Sequence, residues 1–353
     1  MNLFDYGFSP AMLTLSELEK ADSLCVPARV IAVHKERYEL VCDLGQTFGR
    51  LKSSVYYAGG NESFPTVGDF VMIEHNASGD SRIIKTLPRK SFFSRRDPDK
   101  GRGEQAVAAN FDYVFIMQSL NSDFNLKRME RYITLSWQSG ALPVIVLTKS
   151  DLVDDCSEYV REAEKLAMGI GVFAISTKNG TGTDMLAEYL KPRKTIVFLG
   201  SSGVGKSSLI NFLAGKEIMA VNAIREDDSK GRHTTTHRQL IMLDSGVMVI
   251  DTPGMRELGM WDVSRGLNEA FEDVEKYFGR CRFSDCRHIT EPGCAIKAAI
   301  ESGELSAERW NSYLNLKREA RFTDDKSGYL RQKQQRDKSI ALWSKQNKKR
   351  QSY

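Results

Sequence analysis

Gly200, Ser201, Ser202, Gly203, Val204, Gly205, Lys206 and Ser207 have the types and spacing to hold phosphate, in the pattern G-x-x-x-x-G-K-S. The apolar run Thr195–Leu199 precedes them and a helical stretch from Ser208 to Ala214 follows. That strand–loop–helix context gives the pattern its mechanism. Glycines let backbone N–H groups turn inward around phosphate oxygens, and the helix N-terminus adds its positive end. Lys206 is expected to reach the β- and γ-phosphates, and the Ser207 hydroxyl to ligate Mg²⁺. The expectation is a nucleoside triphosphate site.

Two further stretches bear on the base. Thr148-Lys149-Ser150-Asp151 follows the apolar run Val144–Leu147 and matches the guanine-reading pattern N/T-K-x-D. A carboxylate at Asp151 can accept from guanine N1–H and from the exocyclic amine, a donor pair that adenine lacks. A site built on paired polar contacts rejects the base without them by a large factor. The Lys149 stem can lie along the purine face. Thr148 stands where the commonest form has Asn, and a hydroxyl can make only part of the amide's bonds. Ser176-Thr177-Lys178, after Val172–Ile175, looks like the S-A-K element whose backbone meets guanine O6. Both stretches end predicted strands, where nucleotide sites form.

Downstream, Asp251-Thr252-Pro253-Gly254 follows the run Val247–Ile250. In this D-x-P-G pattern Asp251 is expected to hold Mg²⁺ through water, and the Gly254 N–H to sense the γ-phosphate. Gly231-Arg232-His233-Thr234-Thr235-Thr236 is polar, and Thr235, with Thr234 as the alternative, is expected to complete the Mg²⁺ shell. Met255 occupies the place where many GTPases carry a water-orienting glutamine. A thioether cannot orient water, so intrinsic hydrolysis is expected to be slow. His233 is the candidate to position the attacking water as a neutral imidazole; local packing in the polar segment is the alternative. Ser208 and Gly254 complete the expected nucleotide contacts.

The order of these motifs is unusual. Thr148–Asp151 and Ser176–Lys178 precede Gly200–Ser207, His233–Thr236 and Asp251–Gly254, whereas ordinary GTPases carry the base-reading motifs last. The same site is expected from a circularly permuted chain. Beyond it lies Cys281-x4-Cys286-x-His288-x5-Cys294. Three thiolates and an imidazole form a closed tetrahedral set for one structural zinc, with no position left for substrate. Cys25, Cys42 and Cys156 stand alone and are read as small buried hydrophobes.

The elements that must position these residues need more than one core, since 353 residues exceed an ordinary single domain. Residues 1–25 form an N-terminal extension with a helical pattern at Ala11–Lys20. Residues 26–88 hold five short β-runs: Ala28–His34, Tyr38–Asp43, Thr47–Lys52, Asp69–Glu74 and Arg82–Leu87. They suit a β-barrel of the OB-fold kind, with Tyr38, Phe48, Arg50, Lys52, Tyr56 and Tyr57 as a candidate face for single-stranded nucleic acid; core or turn packing explains each aromatic equally well. Residues 89–104 read as a basic linker. Residues 105–262 alternate strand and helix, with helices at Leu126–Gln138, Ser157–Met168 and Thr183–Leu190, as in a mostly parallel α/β sheet. Residues 263–316 are mostly helical around the Cys/His group, and residues 317–353 form a basic tail.

That tail carries twelve Lys/Arg against four Asp/Glu, a surplus of +8 that leaves −4 for the rest of the +4 total. A basic segment on an acidic body points to a polyanionic partner. No apolar run approaches the roughly 20 residues of a membrane span, and the N-terminus lacks a signal-peptide pattern. A cytoplasmic protein with no membrane partner is the expectation.

The permuted motifs, the barrel-like region before them and the Cys-x4-Cys-x-His-x5-Cys group after them together resemble one family. It is the small-ribosomal-subunit-dependent GTPases of the RsgA (YjeQ) type. The resemblance runs from about Val26 to Trp310 and includes Arg232–Thr236 and Glu291-Pro292-Gly293-Cys294. It implies GTP hydrolysis to GDP and phosphate, stimulated by the small ribosomal subunit, binding to its rRNA late in maturation, a monomer, and bound zinc. Two alternatives stay open: an RNA-binding assembly chaperone with negligible turnover, and a P-loop kinase that prefers ATP.

Overall fold

The computed structural model describes residues 2–13, 25–34, 37–52, 64–96, 104–121, 123–219, 238–251, 264–289 and 291–324. Two units divide the chain, residues 1–258 and 259–353.

Five strands open the first unit: β1 (Cys25–Val33), β2 (Tyr38–Cys42), β3 (Gly45–Leu51), β4 (Phe70–Glu74) and β5 (Ser81–Thr86). They pair in the order β1-β2-β3-β5-β4, and β4 returns to β1, so the barrel is closed. Closure leaves these strands no unpaired edge. Ala28, Val30, Leu40, Cys42, Val71, Ile73 and Ile83 fill the interior. Gly49 lets these side chains pack closely, since a Cβ there would sit 2.5 Å from Leu40 Cδ1 and 3.1 Å from Ile83 Cγ1. Tyr38 belongs to the same core, at 8% exposure, so it is not part of an outward nucleic-acid face as its sequence position suggested. Phe48 and Arg50 do face outward, while Tyr56 and Tyr57 lie outside the described residues.

The stretch expected as a linker holds structure instead. Strands β6 (Phe92–Arg96) and β7 (Glu104–Ala109) pair antiparallel. Phe93 is buried and stacks on Phe111, centroids 4.9 Å apart. The alanine-rich β7 has weak strand propensity, and its conformation comes from pairing and burial.

The central sheet comprises β8 (Tyr113–Ser119), β9 (Leu142–Thr148), β10 (Val172–Ala174), β11 (Thr195–Leu199), β12 (Arg238–Met242) and β13 (Met248–Asp251). Their order is β10-β9-β8-β11-β13-β12, parallel except for β12. Strands buried on both faces require continuous apolar runs, and β11 is buried at every position. Helices α1 (Leu126–Ser139), α2 (Ser157–Leu166) and α3 (Lys206–Ala214) accompany the sheet. The helix expected over Thr183–Leu190 is a single 3-10 turn at Thr183–Leu186. Near the N-terminus, 3-10 turns occupy Leu3–Tyr6 and Pro10–Met12. Most of the helix expected at Ala11–Lys20 lies outside the described residues.

Barrel and sheet are hydrogen-bonded to one another. The end of β1 pairs antiparallel with the start of β12, Ala32 opposite Gln239 and Val33 opposite Arg238. Behind this seam Arg29 is 1% exposed. Its guanidinium donates to the carbonyls of Tyr6, Gly68 and Asn110 and to Thr195 Oγ1, at 2.5 to 3.2 Å. Burial lowers its pKa to about 10, so it stays charged at neutral pH. One buried cation thus ties the N-terminal turn, the barrel and the first residue of the phosphate-loop strand.

The second unit contains α4 (Ser264–Ala270), α5 (Glu272–Glu275), α6 (Ala295–Glu301) and α7 (Ala307–Asp324). Phe271, Val274, Ile296, Tyr313 and Leu316 are buried in it. Arg309 on α7 forks onto Asp273, both contacts 3.0 Å. The boundary expected between residues 316 and 317 falls inside α7, since burial of Leu316 and Ala320 carries the helix onward. Among the described residues no helix is long and apolar enough to cross a membrane.

Candidate functional site

Parallel strands deliver their following loops to one sheet edge. Here the segments after β8, β9, β10 and β11 arrive together, and Asp251 ends β13 in the parallel sheet beside them, although the two base-reading segments come early in the chain. Ser119 at the end of β8 stands opposite Thr148 at the end of β9, and Leu199 opposite Ile116 carries the phosphate loop beside them.

Glycine geometry shapes that loop. Gly203 and Gly205 have φ of +70° and +105°, a region that residues with a Cβ seldom adopt. A Cβ at Gly200 would lie 2.7 Å from the Met117 carbonyl. Gly205 caps α3, whose first turn presents Lys206, Ser207 and Ser208. Lys206 Nζ donates to the carbonyls of Gly200 and Ser201 at 2.9 and 3.0 Å, which holds the amine over the loop.

Thr148 is 4% exposed and donates to the Val204 carbonyl at 2.6 Å. Its proton is therefore committed to the phosphate loop, and the base-reading segment is stapled to it. Replacing Thr148 with Val should leave that carbonyl unpaired and cost about 1–3 kcal/mol of stability, measured by urea unfolding, with weaker GTP binding by titration.

Three residues on, Asp151 accepts from Ser176 Oγ at 2.6 Å. Lys178 Nζ lies 4.0 Å from the other carboxylate oxygen. The Ser176 hydroxyl foremost, and the nearby Lys178 and Lys149, hold the Asp151 carboxyl below the usual range. It is an ionised acceptor at neutral pH. Lys149 adopts φ +59°, which turns the chain sharply between Thr148 and Asp151. The Ser150 N–H donates to the Ile175 carbonyl at 3.1 Å, and the Ser176 N–H to Thr181 at 2.9 Å. These bonds fix the segment Ser176-Thr177-Lys178 against Asp151.

Asp251 ends β13, opposite Gln239 on β12. His233, Thr234, Thr235, Gly254 and Met255 lie outside the described residues. Sequence reasoning missed one contact at this edge: the Ser201 hydroxyl donates to Asp123 in the segment after β8. No motif marks Asp123, because its partner is 78 residues away.

In the second unit the donor atoms of Cys281, Cys286, His288 and Cys294 all lie within 4.8 Å of one another. His288 Nδ1 is 3.5 Å from Cys281 Sγ and 3.4 Å from Cys294 Sγ. Bond lengths near 2.0–2.3 Å in a tetrahedral zinc site require sulfur–nitrogen edges of about 3.5 Å, so the donor set fits. His288 has φ +60°, and its ring stacks on Phe278 with Trp310 edge-on, centroids 5.2 and 5.7 Å away. Burial lowers the His288 pKa, which keeps the imidazole neutral as a ligand must be. Burial opposes the Cys281 thiolate, yet the Ala295 N–H and the neighbouring thiols outweigh it and bring its pKa down.

Comparison with known proteins agrees with this architecture. The family model for the RsgA GTPase matches residues 86–261. A protein of Listeria monocytogenes serotype 4b named small ribosomal subunit biogenesis GTPase RsgA 2 is 44% identical over 338 residues, covering 96% of this chain and 95% of its own. A Lactiplantibacillus plantarum protein of the same name is 41% identical, covering 94% and 93%. A crystal structure of YjeQ from Thermotoga maritima superposes with TM-score 0.62 at 26% identity, over 83% of this chain and 97% of that one. The structure of YloQ, described as a circularly permuted GTPase, gives TM-score 0.57 at 24% identity over 82% and 93%, a likeness of fold. Identity of this order along nearly the full length of its relatives places the chain in the RsgA GTPase family.

Proposed function

We propose that this chain hydrolyses GTP to GDP and phosphate on the small ribosomal subunit, acts late in that subunit's maturation, and leaves it after hydrolysis. The observation that carries the nucleotide assignment is the double tie at the sheet edge. Thr148 bonds the phosphate loop at Val204, and Ser176 bonds Asp151. Guanine held at Asp151 and phosphates held at Gly200–Ser208 are then parts of one ligand. Ser207, Thr235 and, through water, Asp251 would hold Mg²⁺, which offsets phosphate charge when bound. His233 would position water, and the Gly254 N–H would report the γ-phosphate.

The ribosomal partner comes from the relatives' names and from surface chemistry. On the barrel, Arg37 lies over the Phe48 ring at 3.7 Å and shares Asp80 with the exposed Arg50, while Lys52 and the exposed Arg82 pair with Glu74. Stacking platforms beside cations suit RNA, and the basic segment 317–353 adds phosphate contacts. One zinc at Cys281, Cys286, His288 and Cys294 would hold the second unit together. A working division is a barrel at 26–88, a GTPase domain at 105–262 and a zinc domain from 263, in a monomeric cytoplasmic protein.

Phosphate release measured with and without purified small subunits, across a salt series, tests this reading. Stimulation that fades as salt rises is the expected result. No stimulation at any salt would favour the chaperone alternative. Displacement of labelled GTP by ATP as readily as by GTP would remove the guanine assignment.

A further inference from the structure

The segment between β8 and α1 delivers an unexpected charge to the phosphate loop. Its described residues are tied together by hydrogen bonds. Ser119 Oγ and the Asp123 N–H both donate to Asn121 Oδ1, at 2.8 and 2.9 Å. Gln118 clamps Asn125 from both sides, at 2.7 and 2.9 Å, and Asn125 caps α1 by accepting from the Arg128 N–H at 3.0 Å. The carboxylate so positioned takes the Ser201 hydroxyl. Ser201 in turn offers its carbonyl to Lys206 Nζ at 3.0 Å. A bare carboxylate in contact with this loop repels a triphosphate. Arg128 answers it: Nη2 lies 2.9 Å from Asp123 Oδ1 and also donates to the Asp123 carbonyl. Both side chains are about three-quarters buried, at 27% and 29% exposure, where screening by salt is reduced. Arg128 Nε is buried with no acceptor among the described residues, so the guanidinium is placed by its ion pair and not by a full set of local bonds.

We propose that Asp123 and Arg128 are a positioning pair for nucleotide binding. Asp123 holds Ser201, and through it Lys206, while Arg128 cancels the carboxylate charge so that the loop can accept a γ-phosphate. The pair touches no substrate and acts through the phosphate loop. This inference rests on the GTP reading above. It predicts effects of opposite sign from the two residues, and a dependence on the number of phosphates that a fold defect lacks.

The test is equilibrium binding of fluorescent GTP and GDP analogues to the full chain and three variants, with thermal melting as a check on folding. Arg128→Gln leaves the carboxylate unpaired and should weaken GTP binding by about tenfold or more, and GDP binding by less. Asp123→Asn keeps an acceptor for Ser201 and removes the repulsion, so GTP binding should tighten. The double variant should recover GTP affinity to within about threefold of wild type. Wild-type affinities in Arg128→Gln, an equal loss for GTP and GDP, or a double variant as weak as Arg128→Gln would overturn the proposal. Failure of the wild-type chain to bind GTP would overturn the GTP reading with it, whereas wild-type binding with unaffected variants sinks the pair alone.

Discussion

Replacing Asp151 with Asn is expected to weaken GTP binding by about 10²–10⁴-fold, while xanthosine triphosphate becomes the better ligand. The carboxylate is ionised and is presented by the Ser176 hydroxyl at 2.6 Å. Hydrogen bonds to a charged group contribute about 1.5–3 kcal/mol each, and guanine offers two donors to this acceptor. An amide keeps one acceptor and turns a donor toward the guanine amine, so one bond becomes a clash. Xanthine has a carbonyl at that position and accepts the amide proton. Competition between the two triphosphates, read by equilibrium titration, measures the switch. Retained preference for GTP would remove Asp151 from the base site. The pH dependence has a definite sign. A carboxyl with a depressed pKa contributes while ionised and is lost as pH falls through that pKa. GTP affinity should therefore be insensitive to Asp151 across neutral pH and decline through this group only in acid, below the usual carboxylate range.

Loss of the metal should be equally decisive for the second unit. Cys294 is buried, with Sγ 3.4 Å from His288 Nδ1, and Cys294→Ser removes one of four donors. Structural zinc contributes about 10–16 kcal/mol in small metal-dependent folds, more than the roughly 5–15 kcal/mol by which domains are stable at all. Among the described residues the core of this unit is modest, its larger buried side chains including Phe271, Val274, Tyr277, Ile296, Leu305, Trp310, Tyr313 and Leu316, and small cores need such a clasp. Chelation of the full chain, or the Cys294→Ser variant, should abolish the hydrogen-exchange protection of residues 264–324 and release one zinc per chain by elemental analysis. GDP binding by the first unit should persist. A metal-free chain whose residues 264–324 keep their protection would refute the clasp. Lost protection with a different metal released would refute zinc alone.

Much of the machinery was legible from residue types, for a physical reason. Phosphate loops, guanine-reading carboxylates and metal ligands depend on local groups at short spacing, so Gly200–Ser207, Thr148–Asp151 and Cys281–Cys294 announce themselves. The barrel strands were legible too, because alternation with a period of two is itself local. Contacts across the fold are another matter. Residues 92–96 read as linker because nothing nearby reveals the partner strand and Phe111 that bury Phe93. For Tyr38 a nucleic-acid face and core packing were equally open from sequence, and only closure of the barrel shows that it faces inward. The helix α7 passes a composition boundary because Leu316 and Ala320 are buried, which charge counting ignores.

By itself, then, the chain of residues carried the phosphate-loop pattern, the guanine-reading pattern, the Cys/His donor set and the permuted order of these motifs. Tertiary structure alone decided how distant segments lean on one another. It joined β1 to β12, buried Arg29 under four chain segments and laid Asp123 against Ser201. The reason is range. Chemistry at a site asks for particular groups within a few residues, whereas packing chooses partners through the whole fold, and no local spacing encodes that choice.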